Sequence, residues 1–85
     1  MQIVWDEIKR QANIDKHRLD FAVLDAEFFD CALIFPAKQG RRQAIGELEP
    51  GICVVIFMML GSQGLSVISM RPANRKERAL HDEQA

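Results

Sequence analysis

The hydrophobic pattern of the chain changes period near residue 30. Before that point apolar residues recur three or four apart; after it they alternate or run together. Ile3-Val4-Trp5 is a short β-prone start. Asp6 has the side chain of an N-cap, and the spacing predicts a helix over residues 7–16 with Ile8 and Ala12 on its inner side. Lys9, Asn13, Lys16 and His17 then stack along the polar face of that helix. Asp20 is a second N-cap, and Phe21, Leu24 and Phe28 make the inward stripe of a second helix.

After Asp30 the pattern predicts strands. Residues 31–35 form a short one, and residues 36–40 read as a turn. Over residues 41–48 the side chains alternate, with Arg41, Gln43, Ile45 and Glu47 on one side. Glu49-Pro50-Gly51 is a turn signal. Residues 52–60 are almost wholly apolar and predict a central strand covered on both faces. A tight connection over residues 61–64 leads to the last strand, residues 65–71. Pro72 disfavours helical geometry at Arg71 and stops the strand there. Asn74 then has the side chain of an N-cap, and Glu77 stands where it completes a capping box. The order is β-α-α-β-β-β-β-α. Strands joined by short turns predict an α+β fold, an antiparallel sheet with helices packed on one face.

Composition narrows the class. The chain has 85 residues, enough for one small domain spanning residues 1–85. Its net charge of −1 predicts no strong overall attraction to nucleic acid. The charge is uneven, however. Residues 1–37 hold four bases against seven acids, and residues 38–85 hold seven bases against five acids. The later half can therefore present a cationic face. The opening residues have no basic segment followed by an apolar run, and residues 52–60 are too few to span a bilayer as a helix. A cytoplasmic protein with no membrane partner is expected. Cys31 and Cys53 lie in apolar surroundings without zinc-site spacing, and read as reduced core residues.

The candidate chemistry gathers at the C-terminal end. Arg71 ends a strand, and the helix after it carries Arg75, Lys76, Glu77, Arg78 and His81. Guanidinium groups match phosphate oxygens in a fork, so Arg71 and Arg75 are candidates for phosphate contact, with Arg41 as a third and Arg78 nearby. Glu77 and His81 are one helical turn apart and suit proton transfer, or Glu77 orients His81. Two distant histidines and scattered acids make no metal site, and no cofactor is implied. Each residue also has a plainer reading: Glu77 as a cap, the bases as a solvated face, His81 as a surface residue. Lys9, Lys16 and His17 either extend a phosphate-binding groove, or His17 and Lys16 close the first helix favourably for its dipole.

With these residues in view, the chain resembles the BrnT family of type II toxins, small ribonucleases of the RelE-like superfamily. Trp5-Asp6-Glu7, Lys9, Asn13, Lys16-His17 and Phe21 match the family's opening signature. Phe28 and Asp30 match the end of its second helix, and Arg41 with Ala44-Ile45-Gly46 its middle strand. Ile68-Ser69, Arg71, Ala73, Glu77 and Arg78 match its closing signature. The resemblance implies an RNA-cleaving toxin that inhibits translation and growth. It also implies neutralisation by a BrnA-like ribbon-helix-helix antitoxin, through which alone the complex would contact operator DNA.

The chain departs from the family pattern at four places. Arg18 stands where many members carry Gly, Arg42 where an aromatic is usual, Met70 where a small residue is usual, and His81 where a Tyr is typical. If that Tyr serves catalysis in relatives, His81 is the proton-moving side chain this chain offers instead. The rival reading is a catalytically weak or inactive member that binds RNA or protein within an autoregulatory complex.

Overall fold

The computed structural model describes residues 1–84. Strand β1 (Gln2–Trp5) leads into helix α1 (Glu7–His17), a 3₁₀ turn (Phe21–Val23) and helix α2 (Ala26–Cys31). Strands β2 (Leu33–Pro36), β3 (Arg42–Leu48), β4 (Gly51–Leu60) and β5 (Gly64–Pro72) follow, and helix α3 (Arg75–Gln84) comes last. The five strands form one sheet in the order β1-β5-β4-β3-β2.

The sheet is mixed, which corrects the expectation of an antiparallel one. Strands β2 to β5 pair antiparallel, as short turns require. β1 pairs parallel to β5, with Gln2 opposite Gly64 and Trp5 opposite Val67. Two helices separate β1 from the next strand, so the short-turn argument never applied to it. The helices also do not share one face. One face carries the core, with Ala44, Val55, Phe57, Val67 and Met70 packed against Phe21, Leu24, Phe28 and Phe29. On this side a Cβ added to Gly46 would lie 2.6 Å from the Phe28 ring, so glycine there lets α2 sit close on β3. α3 packs over β3 on the opposite face, where Ile45 and Val54 are also buried.

The second helix is broken in two. Asp20 accepts the Ala22 N–H and caps the 3₁₀ turn, Leu24 is extended, and Asp25 accepts the Phe28 N–H to start α2. Each Asx side chain takes a backbone donor and opens a new helical start, which prevents one continuous helix. Phe21, Leu24 and Phe28 all still reach the core.

α1 is oriented differently from its pattern. Ile8 is 81% exposed and Ala12 is exposed, whereas Asn13 is buried. The cause is the sheet edge. β1 covers β5 only as far as Val67, and beyond it the edge is open. α1 closes that gap: Asn13 Oδ1 accepts the Met70 N–H at 3.0 Å and Asn13 Nδ2 donates to the Leu19 carbonyl at 2.9 Å. The helix meets backbone polar groups there, so it presents an amide rather than an apolar stripe. Arg10 adds a two-pronged ion pair to Asp20 at 2.7 and 2.9 Å, which ties α1 to the following turn.

Candidate active site

Strict alternation along β5 would place Leu65, Val67, Ser69 and Arg71 on one face. Leu65 and Val67 are in the core, so Arg71 would enter it too. A β-bulge between β4 and β5 prevents this. Phe57 faces Val67 and Ile56 faces Ser69, which leaves Ile68 as the extra residue. The phase shifts by one. Met70 goes into the core, and Ser69 and Arg71 turn to the opposite face, beside Ile56 and Val54.

There Arg71 meets Glu77. Asn74 and Glu77 form a reciprocal capping box at the start of α3, with Asn74 Oδ1 accepting the Glu77 N–H at 2.8 Å and Glu77 Oε1 accepting the Asn74 N–H at 2.9 Å. The same carboxylate receives the Arg71 guanidinium in a fork, at 2.7 Å to Oε1 and 2.8 Å to Oε2. Gln43 Nε2, from β3, lies 3.4 Å from Oε2. Four donors thus hold one carboxylate. The bonds from Arg71 keep the Glu77 carboxyl below its ordinary value, and Glu77 in turn raises the Arg71 guanidinium. The Glu77 side chain is 12% exposed and that of Arg71 is 39% exposed. The carboxylate therefore sits underneath and positions a cation that faces solvent.

The other sequence candidates divide around this pair. Arg75 opens α3 and is exposed, as are Lys76 and Arg78, so the first turns of the helix continue the cationic surface. Arg41 is half-buried beside β3, and its Nε is buried without a hydrogen-bond partner among the described residues. Lys9, Lys16 and His17 line a shallow groove with Ala12, Asn13, Ile68 and Ser69. That groove adjoins the strand face of Arg71, two residues along β5. Lys16 and His17 also occupy the last turn of α1, where the helix dipole favours a cation.

His81 is placed apart. No hydrogen bond joins it to Glu77 among the described residues, and both Glu77 oxygens are occupied by other donors. The imidazole lines a separate groove with Asp25, Glu27, Phe28, Cys31, Glu47, Leu48 and Glu49. Its Nδ1 is buried without a hydrogen-bond partner among the described residues, 3.9 Å from the nearest Asp82 carboxylate oxygen. Cys31, expected in the core, is exposed, while Cys53 is buried and its thiol is pushed up to about 11 by that burial.

Two contributors were not singled out from the sequence. Gln43 shares the alternating face of Arg41, a signal that was available. Ser69 reaches this face only through the bulge at Ile68, which nothing within β5 announces.

This geometry can be set beside known proteins. A family model described as the ribonuclease toxin BrnT of type II toxin–antitoxin systems matches residues 5–77. Among solved structures, the chain is similar to the Brucella abortus ribonuclease toxin BrnT, determined at 1.1 Å. The identity is 56% and the TM-score 0.83, over 88% of this chain and 99% of that one. No curated protein matches the chain. The matched span runs from Trp5 to Glu77, from the start of the fold through the carboxylate that holds Arg71, and the chain belongs to the BrnT family of ribonuclease toxins of type II toxin–antitoxin systems.

Proposed function

We propose that this toxin cleaves RNA without a metal ion, by attack of a ribose 2′-hydroxyl on the neighbouring phosphorus. The P–O2′ bond forms as the P–O5′ bond breaks, leaving a 2′,3′-cyclic phosphate and a 5′-hydroxyl. One group takes the 2′ proton and another supplies a proton to the departing 5′-oxygen. The observation that carries the proposal is the Arg71–Glu77 fork at the end of β5, a cation fixed from beneath and open above. Arg71 and Arg75 hold the non-bridging oxygens, where charge accumulates in the transition state, and Arg41, Arg78, Lys9 and Lys16 bind the flanking backbone.

A carboxylate bonded to a guanidinium is a weak base, so Glu77 acts chiefly by holding Arg71. Proton transfer then falls to an imidazole, the side chain suited to it near neutrality. His81 lies one turn along α3 from Glu77, and His17 lines the groove beside Ser69. Replacing each with Ala separates them: the variant that loses cleavage while keeping RNA affinity identifies the proton carrier.

The activity acts in the cytoplasm on cellular RNA, inhibits translation, and is neutralised by a BrnA-like ribbon-helix-helix antitoxin that alone contacts operator DNA. Expression without the antitoxin should arrest growth, and Arg71→Ala should relieve the arrest. The purified protein should cleave RNA in the presence of EDTA. Intact RNA under those conditions, alone and with ribosomes, would sink the metal-independent mechanism. RNA binding without cleavage by the wild-type chain would favour the binding-module reading instead.

A further inference from the structure

The sheet face that carries Arg71 ends at β2 in an aromatic side chain used by neither the core nor the chemistry above. Phe35 is 39% exposed, whereas Phe21, Phe28, Phe29 and Phe57 lie between 0% and 7%. In the β2–β3 register Phe35 stands opposite Gln43, so its side chain is on the face where Gln43 meets Glu77. Arg41, one residue before β3, accepts the Ala37 N–H and so continues this pairing as the diagonal neighbour of Phe35; it lines the same groove, with Pro36, Ala37 and Gly40. Such diagonal positions are about 7–8 Å apart, within reach of long side chains. The Arg41 Nε is buried there with no partner among the described residues. From Phe35 the register runs through Gln43 and Ile56 to Ser69, three strand spacings or about 14 Å across the face on which α3 begins.

An exposed ring that shares a groove with a guanidinium whose Nε lacks a partner among the described residues is suited to an unstacked nucleotide. The ring covers the base, and the guanidinium takes the adjoining phosphate. A base in a duplex already has both faces covered, so the pair favours single strands. We propose that Phe35 is a stacking platform for one unpaired base of the substrate RNA, close to the scissile phosphate but not at it. Arg41 holds the backbone beside that base. This rests on the ribonuclease reading and adds to it a specificity for single-stranded substrate.

The test uses the whole chain and a short single-stranded RNA carrying 2-aminopurine. One version has natural 2′-hydroxyls, and the other has 2′-O-methyl groups that block cleavage. Phe35→Ala and Phe35→Leu should each weaken binding of the methylated RNA about ten-fold or more. They should raise KM for the natural RNA with little change in kcat. Phe35→Trp should restore binding and the fluorescence change of the stacked base. Phe35→Leu keeps the apolar bulk, so a lost affinity with an unchanged melting temperature assigns the effect to the ring. Wild-type affinity in folded Phe35→Leu overturns the platform even if the enzyme cleaves RNA, and equal weakening toward duplex RNA overturns it as well. Phe35-dependent binding of the methylated RNA, with natural RNA left uncut by the wild-type chain, upholds the platform and overturns the ribonuclease reading.

Discussion

Asn13 directs neither half of its side-chain amide to solvent. Its oxygen takes the N–H that β1 leaves open at Met70, and its nitrogen holds the Leu19 carbonyl. Asn13→Ala removes an acceptor from a buried donor and should cost about 1–3 kcal/mol, read by denaturant unfolding. A loss below a few tenths would mean that water reaches the strand edge. The sequence marked Asn13 as part of a polar helix face; whether that face meets water or a strand edge depends on where β1 stops. Arg18 is the opposite case. Its departure from Gly was visible, and the structure supplies the reason: Arg18 is the C-cap of α1 at φ +60°. A side chain in the left-handed region costs about 1 kcal/mol. Arg18→Gly should therefore raise the melting temperature by about 4–8 °C, and Arg18→Ala should not. Glu77 makes stability depend on pH. Its carboxyl is held below the ordinary 4.5 chiefly by Arg71, so its contribution is fully present above that value and fades as pH falls below it. With Arg71 partly solvated, the contribution is on the order of 1 kcal/mol. Asp20 and Glu7 are lowered too, so the measure is the difference in unfolding free energy between wild type and Glu77→Gln, taken from pH 7 down to 3. A difference that stays constant over this range would show that the pair adds nothing.

β5 is the element where sequence and structure diverge most usefully. The run of residues 65–71 was legible as a strand, although the ladder continues one residue past the expected end, with Pro72 opposite Cys53. Its phase was not. The bulge is a relation between Ile68 and the facing pair Ile56 and Phe57, so no property of β5 alone specifies it. Its effect is to bury Met70 and expose Arg71. The bulge lets an apolar strand end in a cation on the face opposite the core. Inserting one alanine between Ile56 and Phe57 gives Ile68 a partner on β4, restores strict alternation along β5 and drives Arg71 toward the core. The variant should either fail to fold, seen as lost cooperative unfolding, or fold with Arg71 displaced and cleavage abolished. Near-wild-type stability together with wild-type cleavage would show that the bulge does not aim Arg71. Where a strand had only apolar residues to alternate, as in residues 52–60, no phase was readable at all. The capping box of α3 was readable, because every one of its donors and acceptors is local.

At the scale of the whole molecule, the fold sorts charge that the chain does not. The two halves differ by sequence, but Lys9 and Lys16 from the first line a groove with Ser69 of the second, two residues along β5 from Arg71. Asp25, Glu27, Glu47 and Glu49 gather instead around the groove of His81. A net charge of −1 therefore understates what an RNA strand would meet. Affinity for single-stranded RNA should fall with salt at a log–log slope of about −0.7 for each phosphate contacted. One ion pair from each of Arg41, Arg71, Arg75, Arg78, Lys9 and Lys16 predicts a slope of about −4. Binding of a 2′-O-methyl RNA titrated across salt concentrations measures it. Arg75→Ala should flatten the slope by about 0.7, one phosphate's share. Glu49→Gln changes the net charge by the same magnitude as that substitution but lies in the acidic groove, so it should leave the slope unchanged. If Glu49→Gln steepens the slope as much as Arg75→Ala flattens it, the RNA responds to total charge and no face is singled out. If only Arg75→Ala moves it, the surface that continues from Arg71 is where the strand lies.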